Sequence, residues 1–278
     1  MNPVEQFTLE KQQRITAFGQ DQELQDFSRN WLQTTMSKGY VYNFSSLGRP
    51  IIQYPQDMVA MQELIWQVRP DLIIETGIAH GGSIVLSASM LAMLDMCDAI
   101  EAGTTFDPKA SKRLVLGIDI DIRSHNRDAI EAHPMSSRIK MLQGSSVSPE
   151  IIREVRELAA GYQRVLVCLD SMHTHDHVMA ELEGYAPLVT PGSYCVVFDT
   201  FVQDMPEKFF ADRPWDVGNN PKTAVWEYLQ TLQQQGRQAV DGAPLSFEID
   251  RALENKLLVT VAPDGYLKRV DKSIVLPG

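Results

Sequence analysis

Five short apolar runs rich in β-branched residues recur through the middle of the chain and constrain its fold more than any other feature. They are LIIET (72–76), LVLGID (114–119), IKMLQG (139–144), VLVCLD (165–170) and YCVVFD (194–199). Stretches of helical character lie between them, including SIVLSASMLAMLDM, SPEIIREVRELAAG and HVMAELEGYAPLV. Strands that are apolar on both faces and separated by helices predict a parallel sheet covered on both sides. After the fifth run the pattern changes. AVWEYLQTLQQQ reads as a helix, followed by two strand-like runs, LSFEID (245–250) and KLLVTVAP (256–263), with only ALEN between them. A parallel crossover takes about a dozen residues or more, so these two late runs are predicted to pair antiparallel. The chain is therefore α/β, with a mostly parallel sheet that ends antiparallel.

Upstream of the sheet, residues 1–37 are polar with scattered apolar positions and two aromatic anchors, Phe27 and Trp31, as in amphipathic helices lying outside the main domain. Residues 38–57 are rich in turn formers and aromatics and read as an ordered loop. Met58, Met61, Leu64, Ile65 and Val68 then have helical spacing up to Pro70. The expected organisation is an N-terminal helical and loop extension over 1–57, serving oligomerisation or as a lid, and a catalytic domain over 58–278. A length of 278 residues with 44% hydrophobic content suits that size. The net charge of −11 repels phosphate backbones and argues against nucleic acid as the main partner. Cys97, Cys168 and Cys195 form no CxxC, and two of them sit in apolar runs, which fits a reducing, cytoplasmic setting. The start of the chain is polar and charged, unlike a signal peptide. No apolar run reads as approaching the ~20 residues of a membrane span.

Three turns carry candidate binding residues. IIETGIAHGGS (73–83) takes a strand into an acidic residue, a glycine-rich turn and a helix start. Glycines serve where backbone must approach a ligand or adopt positive φ, and a helix N-terminus offers free N–H groups. The spacing of Gly77, Gly81 and Gly82 matches neither the dinucleotide fingerprint nor the phosphate-binding loop. GIDID (117–121) ends the second strand on Asp119, with Asp121 two residues on, where doubly wound folds bind ribose hydroxyls. Either aspartate alternatively caps a helix near Ser124. Asp119 follows Gly82 by 37 positions, longer than the usual ~20, and the excess DAIEAGTTFDPKASKR reads as a surface insertion. QGSS (143–146) follows the third strand; Ser145 and Ser146 either bind or cap the helix before Pro149.

The fourth strand ends in CLDSMHTHDH (168–177), at the edge where open α/β sheets hold ligands. Asp170 ends the strand and His173 lies one turn on. Asp199 ends the neighbouring fifth strand, so Asp170 and Asp199 can share a divalent cation such as Mg²⁺, with His173 as general base. His175, Asp176 and His177 read as a solvated helix start. A second reading takes His173, His175 and His177 as the metal cluster of a metal-dependent hydrolase, because HTHDH is similar to the HxHxDH run of binuclear zinc hydrolases, one residue short. A third is a non-catalytic cofactor-binding protein.

Taken together, GRPIIQYPQDM, IIETGIAHGGS, GIDID, LDSMHTHDHV, PGSYCVVFDT, GNNPKTAVWEYL and the closing FEID…LLVTVAPDGYLKR resemble the cephalosporin hydroxylase/rhamnosyl O-methyltransferase family, related to macrolide sugar O-methyltransferases, from about Tyr40 to Val270. The resemblance implies a Rossmann-like class I methyltransferase fold with a seven-stranded sheet, S-adenosylmethionine as cofactor, a divalent metal (usually Mg²⁺), and a hydroxyl acceptor on a sugar, polysaccharide or glycosylated small molecule. It implies a cofactor site of Glu75, Gly77, His80, Gly81, Gly82, Ser83, Asp119, Asp121, Ser145, Ser146 and Asp170. Glu75 would lie near the cofactor's amino group and the QGSS turn beside its adenine. Asp170 matches the first metal carboxylate and His173 the general base. Phe198-Asp199 stands where members often carry Glu-Asp, leaving the metal site to Asp170, Asp199, water and Thr200. Homo-oligomers joined through N-terminal segments are also implied, with Trp31 and Tyr40–Tyr54 as candidates. Acceptor choice would lie in the Asp204–Asn220 loop, around Trp215, and in the N-terminal segment.

Overall fold

Each of the five apolar runs forms a strand in the computed structural model, which describes residues 2–271. Two helices come first, α1 (Pro3–Gln20) and α2 (Gln22–Met36), the first closed by a capping box between Asn2 and Glu5, the second capped by Asp21. A hairpin, β1 (Phe44–Ser46) with β2 (Arg49–Ile51), precedes α3 (Pro55–Val68). The alternating part then runs β3 (Leu72–Thr76), α4 (Gly82–Ala102), β4 (Leu114–Asp119), α5 (Ser124–Glu131), β5 (Ile139–Gln143), α6 (Pro149–Ala159), β6 (Val165–Leu169), α7 (His175–Tyr185) and β7 (Tyr194–Val197). It closes with α8 (Pro221–Gln235), β8 (Phe247–Ile249), α9 (Arg251–Leu257) and β9 (Tyr266–Arg269).

The sheet order is β5-β4-β3-β6-β7-β9-β8. The strands from β5 to β7 are parallel, and β9 runs antiparallel to both its neighbours. From β3 the chain moves outward through β4 and β5, then returns to place β6 on the other side of β3. That reversal opens a crevice at the carboxyl ends of β3 and β6, where ligands of open α/β sheets bind. Side chains of β3 alternate between two cores. Ile73 packs with Met61 and Leu64 of α3 and Ala88 and Leu91 of α4. Leu72 and Ile74 face the opposite side, with Val155 of α6, Leu182 of α7 and Tyr228 of α8. Each such buried aliphatic side chain stabilises the fold by about 1.5–3 kcal/mol.

Several boundaries differ from the sequence expectations. The second late run is not a strand. Asp250 accepts from Leu253 N–H and starts α9, Leu258 adopts φ +62°, and the partner of β8 is the more polar β9. The intervening segment is held by Asp57, which is fully buried and accepts from the Thr260 hydroxyl, Val261 N–H (3.0 Å) and the Tyr266 hydroxyl (2.6 Å). Helix α3 starts at Pro55 and so spans the expected domain boundary after residue 57. Phe27, expected as an anchor, is 66% exposed, whereas Trp31 packs on Tyr40 and Tyr54. The expected insertion after α4 is partly helix, since α4 runs to Ala102. By length and a mean hydropathy of 1.6, α4 would suffice to cross a bilayer, contrary to the expectation that no run comes close. Here Ile84, Ala88, Leu91 and Leu94 face the core, while Asp95 and Asp98 near its end pair with Arg113, Arg138 and Arg69.

Candidate active site

The glycine-rich turn sits in the crevice between β3 and β6. Gly77 has φ +88°, and a Cβ there would lie 2.0 Å from the Asp170 carbonyl, so only glycine lets the two strand ends close. Asp119 holds the turn from the side: Oδ2 accepts from Ile78 N–H (2.9 Å) and Ala79 N–H (3.3 Å), and Oδ1 from Asp121 N–H (3.0 Å). Glu75 is 3% exposed and accepts from the Ser83 hydroxyl. Burial pushes its carboxyl up to about 7, with the Ser83 bond opposing. Ser83 lines the cleft, and Glu75 lies behind it.

Two clefts meet at Gly77, Ala79, Asp170 and Ser171. One continues past Gln53, His80, Gly82 and Ser83. The other continues past Asp119, Ile120, Ser145 and Ser146. Together they form a groove across the carboxyl ends of the strands, from Gln53 and Ser83 at one end to Ser145 and Ser146 at the other. A third cleft, with about 1200 Å³ of empty space, shares His173 and Asp199 with the first. Its walls include the aromatic side chains of Tyr42, Phe201, Phe209, Phe210 and Trp215.

Asp170, His173 and Asp199 stand at this junction, their ligand atoms all within 4.8 Å of one another. His173 Nε2 lies 3.0 Å from Asp199 Oδ2, and the ring meets Trp215 edge-to-face at 4.7 Å. Asp199 has φ +56°, a conformation disfavoured for a residue with a Cβ and characteristic of functional sites. Loss of water, then the charges of Asp199 and Glu75, hold the Asp170 carboxyl well above the usual range. Crowded carboxylates of this kind fit a divalent cation, which would neutralise them. Phe198 is buried in the core, as is Thr200, whose hydroxyl donates to Pro263 O at 2.6 Å. Among the described residues the carboxylate and imidazole groups that could hold a cation here are those of Asp170, Asp199 and His173.

The other expected residues fall into place around this centre. His175 and His177 do open α7, as expected, but they are half-buried rather than solvated. His175 bonds Thr223 (2.8 Å) and Glu227 (3.2 Å), whereas His177 Nε2 meets Ser146 (3.1 Å) and Ser171 (3.0 Å). The three histidines therefore point to different partners, and the hydrolase reading loses its shared metal cluster. Ser148, rather than Ser145 or Ser146, caps α6, and the N-cap position of α5 is Arg123, so neither Asp119 nor Asp121 serves there. Asp121 is exposed and outside both clefts. Gly81, at φ +84°, leaves no room for a Cβ beside Ile130 and shapes the turn from behind. Two residues beside the glycine turn had no place among the sequence candidates: Gln53, which lines the cleft, and Arg49, which bonds the His80 carbonyl. Both lie in GRPIIQYPQDM, a segment that contributes to the family resemblance but contains no motif assigning either residue a role.

A family model described as Rhamnosyl O-methyltransferase/CmcI matches residues 38–270. The rhamnosyl O-methyltransferase of Mycobacterium tuberculosis (strain ATCC 25618 / H37Rv) is 29% identical over 217 residues, covering 77% of this chain and 73% of that protein. The protein of the same name from Mycobacterium leprae (strain TN) is 26% identical over 234 residues, covering 83% and 85%. A solved structure of CmcI with Mg and SAM is 17% identical, covers 82% of this chain and 77% of its own, and superposes with a TM-score of 0.52, which shows a shared fold.

Proposed function

This chain belongs to the rhamnosyl O-methyltransferase/CmcI family, and from that premise we propose that it methylates a hydroxyl of a sugar, polysaccharide or glycosylated small molecule, with a divalent cation assisting and His173 as general base. The enzyme class follows from the family: an S-adenosylmethionine-dependent O-methyltransferase. The observation that carries the finer reading is the position of Asp170, His173 and Asp199, where the groove along the glycine turn opens into the aromatic cleft. The rhamnosyl acceptor in the relatives' name supports a sugar.

When bound, S-adenosylmethionine supplies an electrophilic methyl group and the cation a Lewis acid that lowers the pKa of an acceptor hydroxyl. A neutral alcohol is a weak nucleophile, so a base must take its proton. With Nε2–H donating to Asp199, His173 presents its Nδ1 lone pair for that proton. The Asp199 carboxylate then balances the imidazolium charge, and Trp215 fixes the ring from the other side. Asp170 and Asp199 would hold the cation. Self-association belongs to the same proposal, supported by the exposed Val4, Phe7 and Phe27 of α1 and α2.

Incubation with S-adenosylmethionine and a panel of simple glycosides is the test, read by mass spectrometry. A product heavier by one methylene is expected, formed more slowly after chelator treatment and restored by Mg²⁺. Turnover indifferent to chelation would remove the cation from the reading, and no methylated glycoside at all would remove the acceptor class.

Glu75 adds a pH dependence. Its carboxyl, raised to about 7, must ionise to face a methionine ammonium. Below that pH the free protein holds a proton that binding must expel, so cofactor affinity is expected to fall about tenfold per pH unit on the acid side and level off above it. Glu75→Gln should flatten the profile in calorimetric titrations across that range. A step that survives in Glu75→Gln would assign it to another group.

A further inference from the structure

The reaction described so far leaves GRPIIQYPQD unused, yet β2 lies directly against the glycine turn. Arg49 Nε and Nη2 donate to His80 O at 2.9 and 2.7 Å, and Nη2 also donates to Asn126 Oδ1 at 2.9 Å. Asn126, buried, in turn donates to Ala79 O at 2.9 Å. The two consecutive carbonyls at the tip of the turn are thus held from the Arg49 side, while Asp119 holds the amides of Ile78 and Ala79. The turn needs holding: Ala79 has φ +45°, which a residue with a Cβ adopts only under external constraint. The Pro50 carbonyl lies 2.2 Å from where a Cβ on Gly82 would be, so the segment is pressed against the first residue of α4.

Gln53 lies three residues beyond Pro50. It is 4% exposed, its Oε1 has no hydrogen-bond partner, and it lines the same cleft as Gly77, Ser83 and Asp170. A buried, unsatisfied amide oxygen is costly, and its place on a ligand cleft is explained if a ligand donates to it. The methionine end of the cofactor carries an ammonium, which has three donors and no acceptor.

We propose that the Arg49–Gln53 segment is the second half of the cofactor site. Arg49 is a positioning residue that fixes the turn through His80 and Asn126, and the Gln53 carboxamide oxygen accepts a hydrogen bond from the cofactor's ammonium. The inference rests on reading this groove as the S-adenosylmethionine site. It makes the N-terminal segment part of catalysis rather than an appendage, because Tyr42 and Ile52, on the same stretch of chain, line the aromatic cleft.

Calorimetric titration of the full chain with S-adenosylhomocysteine tests both parts. Gln53→Leu is expected to weaken binding about 10- to 100-fold, the loss of one hydrogen bond to a charged group, without lowering the melting temperature. Arg49→Ala should weaken it as well, with affinity partly restored by added guanidinium; Arg49→Lys, which keeps the charge but loses the fork, should fall between. Should the unaltered chain fail to bind, the cofactor reading fails first. If it binds and Gln53→Leu binds equally well, the Gln53 contact is overturned while the cofactor reading stands. If the Arg49 variants melt earlier but bind with unaltered affinity, Arg49 is a fold residue only and its positioning role is overturned.

Discussion

His173→Ala is expected to slow methyl transfer by about 10²- to 10⁴-fold, the range a positioned general base supplies, while S-adenosylhomocysteine affinity stays within a few-fold of the unaltered chain. The separation follows from the geometry. His173 bonds Asp199 and packs on Trp215 at the mouth of the aromatic cleft, whereas the turn that shapes the groove is held by Asp119, Asn126 and Arg49. Added imidazole should recover part of the rate, since the vacated space adjoins an open cleft. His175→Ala provides the contrast. Its ring is committed to Thr223 and Glu227, away from the junction, so the rate should change little. A hydrolase built on the histidine cluster would lose activity in both variants. Single-turnover rates with saturating cofactor make the comparison, and full activity in His173→Ala would remove it from the chemistry.

The largest effect on stability is expected at Asp57. Its carboxylate is the acceptor for two hydroxyls and one amide that are otherwise buried. Asp57→Ala leaves all three unsatisfied, at about 1–3 kcal/mol each, partly offset by removing a buried charge, for a net loss of about 3–5 kcal/mol. Urea unfolding measures it. The pH dependence has a definite sign. Burial pushes the Asp57 carboxyl up to about 6, against the opposing bonds from Thr260, Tyr266 and Val261. The folded chain therefore holds this proton more tightly than the unfolded one. Its contribution to stability is greatest below the ordinary aspartate pKa of about 4 and declines as pH rises through about 6. Asp57→Asn should abolish that decline. An Asp57→Ala variant as stable as the original would mean the closing segment is held by something else.

The same residue explains what was hard to read in the sequence. Four of the five parallel strands were legible because they are buried on both faces and so largely apolar, whereas the edge strand Ile139–Gln143, with Lys140 exposed, was legible by its Ile, Met and Leu. KLLVTVAP looks equally strand-like, yet its conformation is set by Asp57, 203 positions away from Thr260, and no local pattern carries that information. The strand that does pair there, Tyr266–Arg269, contains Lys268 and Arg269 and reads as polar. Arg269 is nevertheless buried, its charge met by Asp241 and the Val189 carbonyl.

For the site, strand ends were a dependable guide. Asp119, Asp170 and Asp199 all follow apolar runs, and a parallel sheet brings such ends to one edge. Their division of labour was less visible. Asp119 gives Oδ2 to the backbone amides of the glycine turn and Oδ1 to the amide of Asp121, while Asp121, equally acidic and two residues on, stays outside the clefts. Arg49 could not be found from its neighbours, since its partners are the His80 carbonyl and Asn126, far along the chain. A helix-capping preference suggested Ser145 or Ser146, but Ser148 does that work and leaves Ser146 to His177. Helix α4 shows the same limit in reverse: its composition permits a membrane span, and only its packing and its terminal ion pairs give it a place in the core.

The proposed cofactor site is the groove from Gln53 past Gly77 to Ser146. Calorimetric titration of the unaltered chain with S-adenosylmethionine and with S-adenosylhomocysteine is the decisive experiment. One site per chain is expected for each, with a dissociation constant well below about 1 mM. Heats indistinguishable from dilution for both compounds at millimolar concentration would contradict it.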